Sequence, residues 1–129
     1  MKVAQRKILL VDDNQDARAM MIMWLGDADY TVTTAETMAQ GWKLAQSTSF
    51  DLCLLDSWLP DGSGYDLCRQ ISALLPDMPI VFYSAGAYEK DRQCGLAAGA
   101  RAYLVKPNDL DRIEAVIRNL IAEGIAPLS

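Results

Sequence analysis

The stretch "LCLLDSWLPDG" (residues 52–62) joins an apolar run to a carboxylate, Asp56, and then to a turn carrying Pro60 and Gly62. A short, unbroken apolar run bounded by turn residues suits a strand covered on both faces, as in a parallel sheet. Ending such a strand on an ionisable group is costly unless the charge is paired or reaches water. Taken alone, Asp56 marks where the strand surfaces. The rest of the chain gives it company.

Four further runs have the same character: "KILLV" (7–11), "YTVTTA" (30–35), "IVFYS" (80–84) and "AYLVK" (102–106). Segments of helical period separate them. Asp13 or Asn14 can cap a helix running to about Gly26, and Thr37 with Gln40 fits a capping box. Ser63 with Asp66 can start a third helix, "EKDRQCGLAAG" (89–99) ends on glycine, and 108–124 is amphipathic. In the first helix the spacing puts Ala17, Met21, Trp24 and Ala28 toward the sheet and turns Ile22 and Met23 outward. Strand and helix in alternation imply βα units and a parallel sheet.

The strands finish on Asp12 and Asp13, on Asp56, on Ser84 and on Lys106. Singly, Asp13 is a helix cap, Ser84 a turn hydroxyl and Lys106 a surface lysine. In a parallel sheet, however, all these ends share one edge, and open α/β sheets bind ligands there. Clustered carboxylates repel one another. Lys106 offsets part of that charge, and Mg²⁺, which favours carboxylate and carbonyl oxygens and commonly bridges them to phosphate, would offset more. The set suits a phosphoryl group, with a carboxylate as nucleophile and Ser84 donating to a phosphoryl oxygen. Lys106 precedes Pro107, so the bond between them is a candidate cis peptide.

Composition narrows the chemistry. The 129 residues suit one domain, expected over 1–129 with its core at about 7–123. A net charge of −5 disfavours direct nucleic-acid binding, and no apolar stretch is long enough to span a membrane. Three cysteines without a CxxC pair fit reduced thiols and a cytoplasmic location. There is no histidine. Ser-His and Cys-His catalysis, His-ligated zinc and a phosphohistidine carried by this chain are therefore excluded.

Together "ILLVDDN", "LCLLDSWLPDGSGYDL", "IVFYSA" and "AYLVKP" resemble the receiver domain of bacterial two-component response regulators, from about Lys7 to Glu123. The resemblance implies a doubly wound, five-stranded parallel sheet of order 2-1-3-4-5 with helices on both faces, the flavodoxin-like arrangement. It implies Asp56 as phosphoacceptor and Mg²⁺ held by Asp12, Asp13, Asp56 and the backbone carbonyl of Trp58. Lys106 and Ser84 would contact the phosphoryl group, and Ser84 and Tyr103 would act as switch residues, Tyr103 turning inward after phosphorylation. The donor would be a histidine kinase or a histidine phosphotransfer protein, docking on the first helix through Ile22 and Met23. The product is a signal, so the chain is not expected to be an enzyme.

Two features depart from the family pattern. Trp58 is large for its position, and with Gly86 it should flank the approach of water to an aspartyl phosphate and slow its loss. Arg101 and Ala102 stand where acidic residues of a common dimer would be. Other readings are weaker. A haloacid-dehalogenase-like phosphatase needs a second Asp where Trp58 stands, and an FMN carrier would find its phosphate repelled by "VDDN". A module of this fold that is never phosphorylated, serving protein interaction alone, is the remaining alternative.

Overall fold

In the computed structural model, which describes residues 6–125, five strands form one parallel sheet. They are β1 (Arg6–Val11), β2 (Tyr30–Ala35), β3 (Leu52–Leu55), β4 (Ile80–Ser84) and β5 (Ala102–Val105), in the order β2-β1-β3-β4-β5. The helices are α1 (Gln15–Gly26), α2 (Met38–Ser47), α3 (Gly64–Leu74), α4 (Glu89–Ala97) and α5 (Ile113–Ile125). A turn of 3-10 helix, Leu110–Arg112, leads into α5, so that helix starts later than its periodicity suggests. A two-stranded antiparallel ribbon, Trp58–Leu59 against Gly62–Ser63, sits between β3 and α3.

Successive side chains of a strand point to opposite faces, and here each face has its own core. Leu9, Val11, Cys53, Leu55, Ile80 and Phe82 meet Leu67, Cys68 and Ile71 of α3. Ile8, Leu10, Leu52, Leu54 and Val81 meet Met21 and Leu25 of α1 and Ile113, Ile117 and Ile121 of α5. All four residues of β3 are 0% exposed. Each leucine buried so completely contributes roughly 1.5–3 kcal/mol, which is why the run 52–55 has no polar member.

Helix α1 packs differently from its expected stripe. Met21 and Leu25 are buried, but Trp24 is 43% exposed. The i, i+4 pair Met21–Leu25 fills the space over the sheet, so Trp24 lies at the margin of that stripe. Ile22 and Met23 are exposed as their spacing requires.

The helix starts explain which polar residues remain free. Asn14, not Asp13, caps α1 by accepting the Ala17 N–H at 2.8 Å. Thr37 accepts the Gln40 N–H at 3.1 Å, yet the Gln40 side chain turns to the Glu36 N–H at 2.8 Å and does not close the expected box. The first amides of α2 instead donate to Asp61, from Met38 at 2.7 Å and from Ala39 at 3.1 Å. These bonds hold the Asp61 carboxyl below its usual range. At the start of α3, Gly64 lies so close to the Asp56 main chain that a Cβ there would fall 1.9 Å from the Asp56 carbonyl oxygen.

Candidate phosphoacceptor site

Strand register brings the polar ends together. Val11 pairs with Leu55, so Asp12 and Asp56 emerge side by side, and the Asp56 N–H donates to the Val11 carbonyl at 3.0 Å. Leu55 pairs with Phe82, which sets Ser84 just beyond Asp56 on the neighbouring strand. Ser84 pairs with Val105, and the Lys106 N–H donates to the Ser84 carbonyl at 2.8 Å. The Lys106–Pro107 peptide bond is cis.

Carboxylate oxygens of Asp12, Asp13 and Asp56 lie within 4.8 Å of one another. Asp12 is buried, Asp56 half-buried and Asp13 exposed. The Lys106 ammonium donates to Asp12 Oδ2 at 2.6 Å and to Asp56 Oδ2 at 3.5 Å. The other Asp12 oxygen accepts the Asn14 N–H at 2.9 Å, and Asp56 Oδ1 accepts the Ser57 N–H at 2.8 Å.

These contacts set the titration of the cluster. Burial pushes the Asp56 carboxyl above its ordinary range; Lys106 pulls it back, and the charge of Asp12 pushes it up again. The Ser57 N–H and the Ser84 hydroxyl also favour the charged form. For Lys106, burial works toward lowering, but the Asp12 hydrogen bond and the charges of Asp56 and Asp12 outweigh it and raise the value. Lys106 is thus a fixed cation, and Asp56 keeps a share of unrelieved negative charge. Converging hard oxygens, one of them on an exposed side chain, fit Mg²⁺ in donor type.

A chain of aromatic rings leads away from this cluster. Trp58 meets Tyr65 in a T-shaped contact, Tyr65 meets Phe82, and Phe82 meets Tyr103, with ring centroids 6.1, 5.1 and 5.7 Å apart. Tyr103 lies inward, its hydroxyl donating to the Gly86 carbonyl at 2.9 Å, with Ser57 Oγ 3.4 Å away. The inward ring was expected only after phosphorylation; here the Gly86 carbonyl and Ser57 Oγ both contact its hydroxyl and Phe82 packs on the ring. The Tyr65 hydroxyl is close enough to Ser57 and Tyr103 to feel both, but no partner among the described residues meets hydrogen-bond geometry. Trp58 is 67% exposed and stands on the wall of the groove that also contains Asp56.

Sequence reasoning did not single out Arg18, which donates to the Asp12 carbonyl at 2.8 Å and to Glu36 at 3.0 Å. Neither did it find Asp61, Ser57 or Tyr65. Arg18 and Asp61 act across the fold and leave no local spacing to notice.

The arrangement agrees with what known proteins show. The profile of the response regulator receiver domain matches residues 8–118. The chain belongs to that family. It is 33% identical over 120 residues to the transcriptional regulatory protein CusR of Escherichia coli, covering 93% of this chain and 53% of CusR. It is 35% identical over 116 residues to the response regulator protein PilR of Pseudomonas aeruginosa, covering 89% of this chain and 26% of PilR. The receiver thus spans about half or less of these relatives. Among solved structures, the chemotaxis protein CheY4 of Vibrio cholerae superposes with a TM-score of 0.84 at 28% identity, covering 91% of this receiver and 99% of CheY4. The non-phosphorylated HemR receiver domain of Leptospira biflexa gives 0.83 at 31% identity, covering 92% and 95%. This receiver has the parallel sheet its sequence implies and the phosphoacceptor signalling role of its family. Among its described residues no helix is long and apolar enough to cross a membrane.

Proposed function

We propose that Asp56 is the phosphoacceptor, charged by a histidine kinase or histidine phosphotransfer protein. The cluster of three carboxylates, two of them bonded to Lys106, carries this reading. Asp56 Oδ1 is occupied by the Ser57 N–H, which orients the carboxylate. Its Oδ2 faces the Lys106 ammonium at 3.5 Å and is the oxygen better placed to attack phosphorus. Lys106 and the Ser84 hydroxyl then receive the oxygens of the transferred group.

Asp12, Asp13, Asp56 and the Trp58 carbonyl would hold Mg²⁺, which supplies charge neutralisation for the phosphoryl oxygens. Ser84 and Tyr103 form the switch. Because the Tyr103 ring already lies inward, phosphorylation acts by raising the population of that arrangement, not by creating it. Ile22 and Met23 on α1 form part of the donor-docking surface, in a cytoplasmic setting. The receiver modifies only itself, turns over no external substrate and does not bind nucleic acid directly.

The test is labelling by acetyl phosphate with Mg²⁺, read as a hydroxylamine-labile adduct by mass spectrometry. Wild type should label, and neither Asp56→Asn nor the chelated protein should. Equal labelling of Asp56→Asn would remove Asp56 from the role.

A further inference from the structure

Lys106 is not the only cation bonded to Asp12. Arg18 on α1 donates from Nη1 to the Asp12 main-chain carbonyl at 2.8 Å and from Nη2 to Glu36 at 3.0 Å. Its side chain is only 13% exposed, while that of Glu36 is 60% exposed. By charge alone, a guanidinium beside a site for a dication works against the ion. What the bond does instead follows from its partner. The Asp12 carbonyl belongs to the planar peptide that joins Asp12 to Asp13. The Asp12 N–H donates to the Ala35 carbonyl of β2 at 3.0 Å, so β2 holds the peptide before this residue and Arg18 the one after it. The Asp12 carboxylate is itself held twice, by the Asn14 N–H and by Lys106. The Asp13 carboxylate has no hydrogen bond or ion pair among the described residues. Its aim is therefore set by its backbone, and Arg18 grips the peptide that leads into it.

We infer that Arg18, anchored by Glu36, is a positioning residue of the metal site: it fixes the Asp12–Asp13 peptide, and with it the aim of Asp13, and so selects for an ion of strict geometry. This rests on Asp12, Asp13 and Asp56 holding Mg²⁺. A Mg²⁺ site needs near-ideal octahedral oxygens, whereas Ca²⁺ accepts irregular and more numerous ones. Loosening Asp13 therefore costs Mg²⁺ more than Ca²⁺. Charge makes no such distinction. Both ions are dications, so a change in the local field acts on both alike and cancels in the ratio of their affinities.

The experiment titrates Mg²⁺ and Ca²⁺ separately into the protein and follows the amide NMR signals of Asn14 and Ser57, whose N–H groups donate to Asp12 and Asp56. The quantity read is the ratio of the Mg²⁺ to the Ca²⁺ association constant. Arg18→Met should lower it roughly three- to tenfold, at the low end of what loss of an outer-shell partner costs a metal site. Glu36→Ala should lower it by less but in the same direction, although the charge it removes has the opposite sign. The two together should do no more than Arg18→Met alone. Arg18→Lys keeps the charge but lacks the planar fork that reaches both partners, and should restore only part of the loss. A ratio in Arg18→Met equal to wild type overturns the inference, even if both affinities rise, as removal of charge alone would make them. Opposite shifts of the ratio in Arg18→Met and Glu36→Ala overturn it too. Should Arg18→Met fail to fold, Glu36→Ala, which removes an exposed anchor, carries the test. Failure of the metal site itself looks different: Asp13→Asn would then bind Mg²⁺ as tightly as wild type.

Discussion

Adding one methyl group at Gly86 tests whether the Tyr103 hydroxyl is held where the structure places it. A Cβ at Gly86 would lie 2.9 Å from Tyr103 Oη and 3.0 Å from Asp91 Oδ2, roughly half an ångström inside ordinary contact. Both are the far ends of side chains, so Gly86→Ala should fold with the phenol displaced. The displacement breaks the hydrogen bond to the Gly86 carbonyl, a bond worth about 0.5–1.5 kcal/mol net. Tyr103→Phe removes the clash and the bond together. In that background Gly86→Ala keeps only its encounter with Asp91. Helix and unfolded-state effects of the methyl group are common to both backgrounds and cancel. Urea unfolding of wild type, both single variants and the double variant closes the cycle. The double variant should be less destabilised than the sum of the singles by about 1 kcal/mol. Additivity within about 0.5 kcal/mol would show that the hydroxyl is not lodged against Gly86, and the inward placement of Tyr103 would have to be given up.

Asp56→Asn should stabilise the metal-free protein, because burial and Asp12 raise the Asp56 pKa above its unfolded value. The native protein then holds that proton more tightly, so this group's stabilising contribution is present below the unfolded pKa, near 4, and is lost as pH rises through the folded value. Unfolding midpoints in chelator should therefore favour Asp56→Asn at pH 7 and converge with wild type below about pH 4; a constant offset would refute the cause. Mg²⁺ at about a hundred times its dissociation constant should stabilise wild type by about 2.7 kcal/mol and Asp56→Asn by clearly less. Tyr65→Phe, which deletes a buried hydroxyl without a partner, should raise unfolding stability by about 1 kcal/mol, and a loss of that size would mean the hydroxyl is satisfied. Ile22→Ser with Met23→Ser should lower phosphotransfer from a phosphohistidine protein relative to that from acetyl phosphate; an unchanged ratio removes this face of α1 from docking.

What the sequence makes legible follows from chain direction. Parallel strands all run the same way, so residues just past the apolar runs must gather on one edge whatever the helices do. That is how Asp12, Asp56, Ser84 and Lys106 are recognisable while scattered over nearly a hundred residues. Helix starts are less legible, because neighbouring polar residues compete for the same amides and tertiary groups intervene. Asn14 outcompetes Asp13, which leaves Asp13 open toward the cluster. Asp61 reaches α2 from a turn more than twenty residues away, which no local pattern announces. Trp24 fits the helical stripe as well as Leu25 does, and only the space left beside Met21 decides between them. The inward Tyr103 depends on a carbonyl of another loop and on a glycine that gives it room.

The tight seat of Gly64 against the Asp56 carbonyl ties the end of β3 to a helix in a second, mechanical sense. Gly64 also donates its N–H to the Ser57 carbonyl at 2.7 Å, so the main chain after Asp56 and the first turn of α3 are locked both by contact and by bonding. The loop after Asp56 cannot shift as a hinge on its own; any recoil of its backbone must be passed to α3 as a push on the helix end. Residues 56–64 are in effect one machined part, and a redesign of this receiver that lengthened or shortened the loop would have to re-seat α3 at the same time.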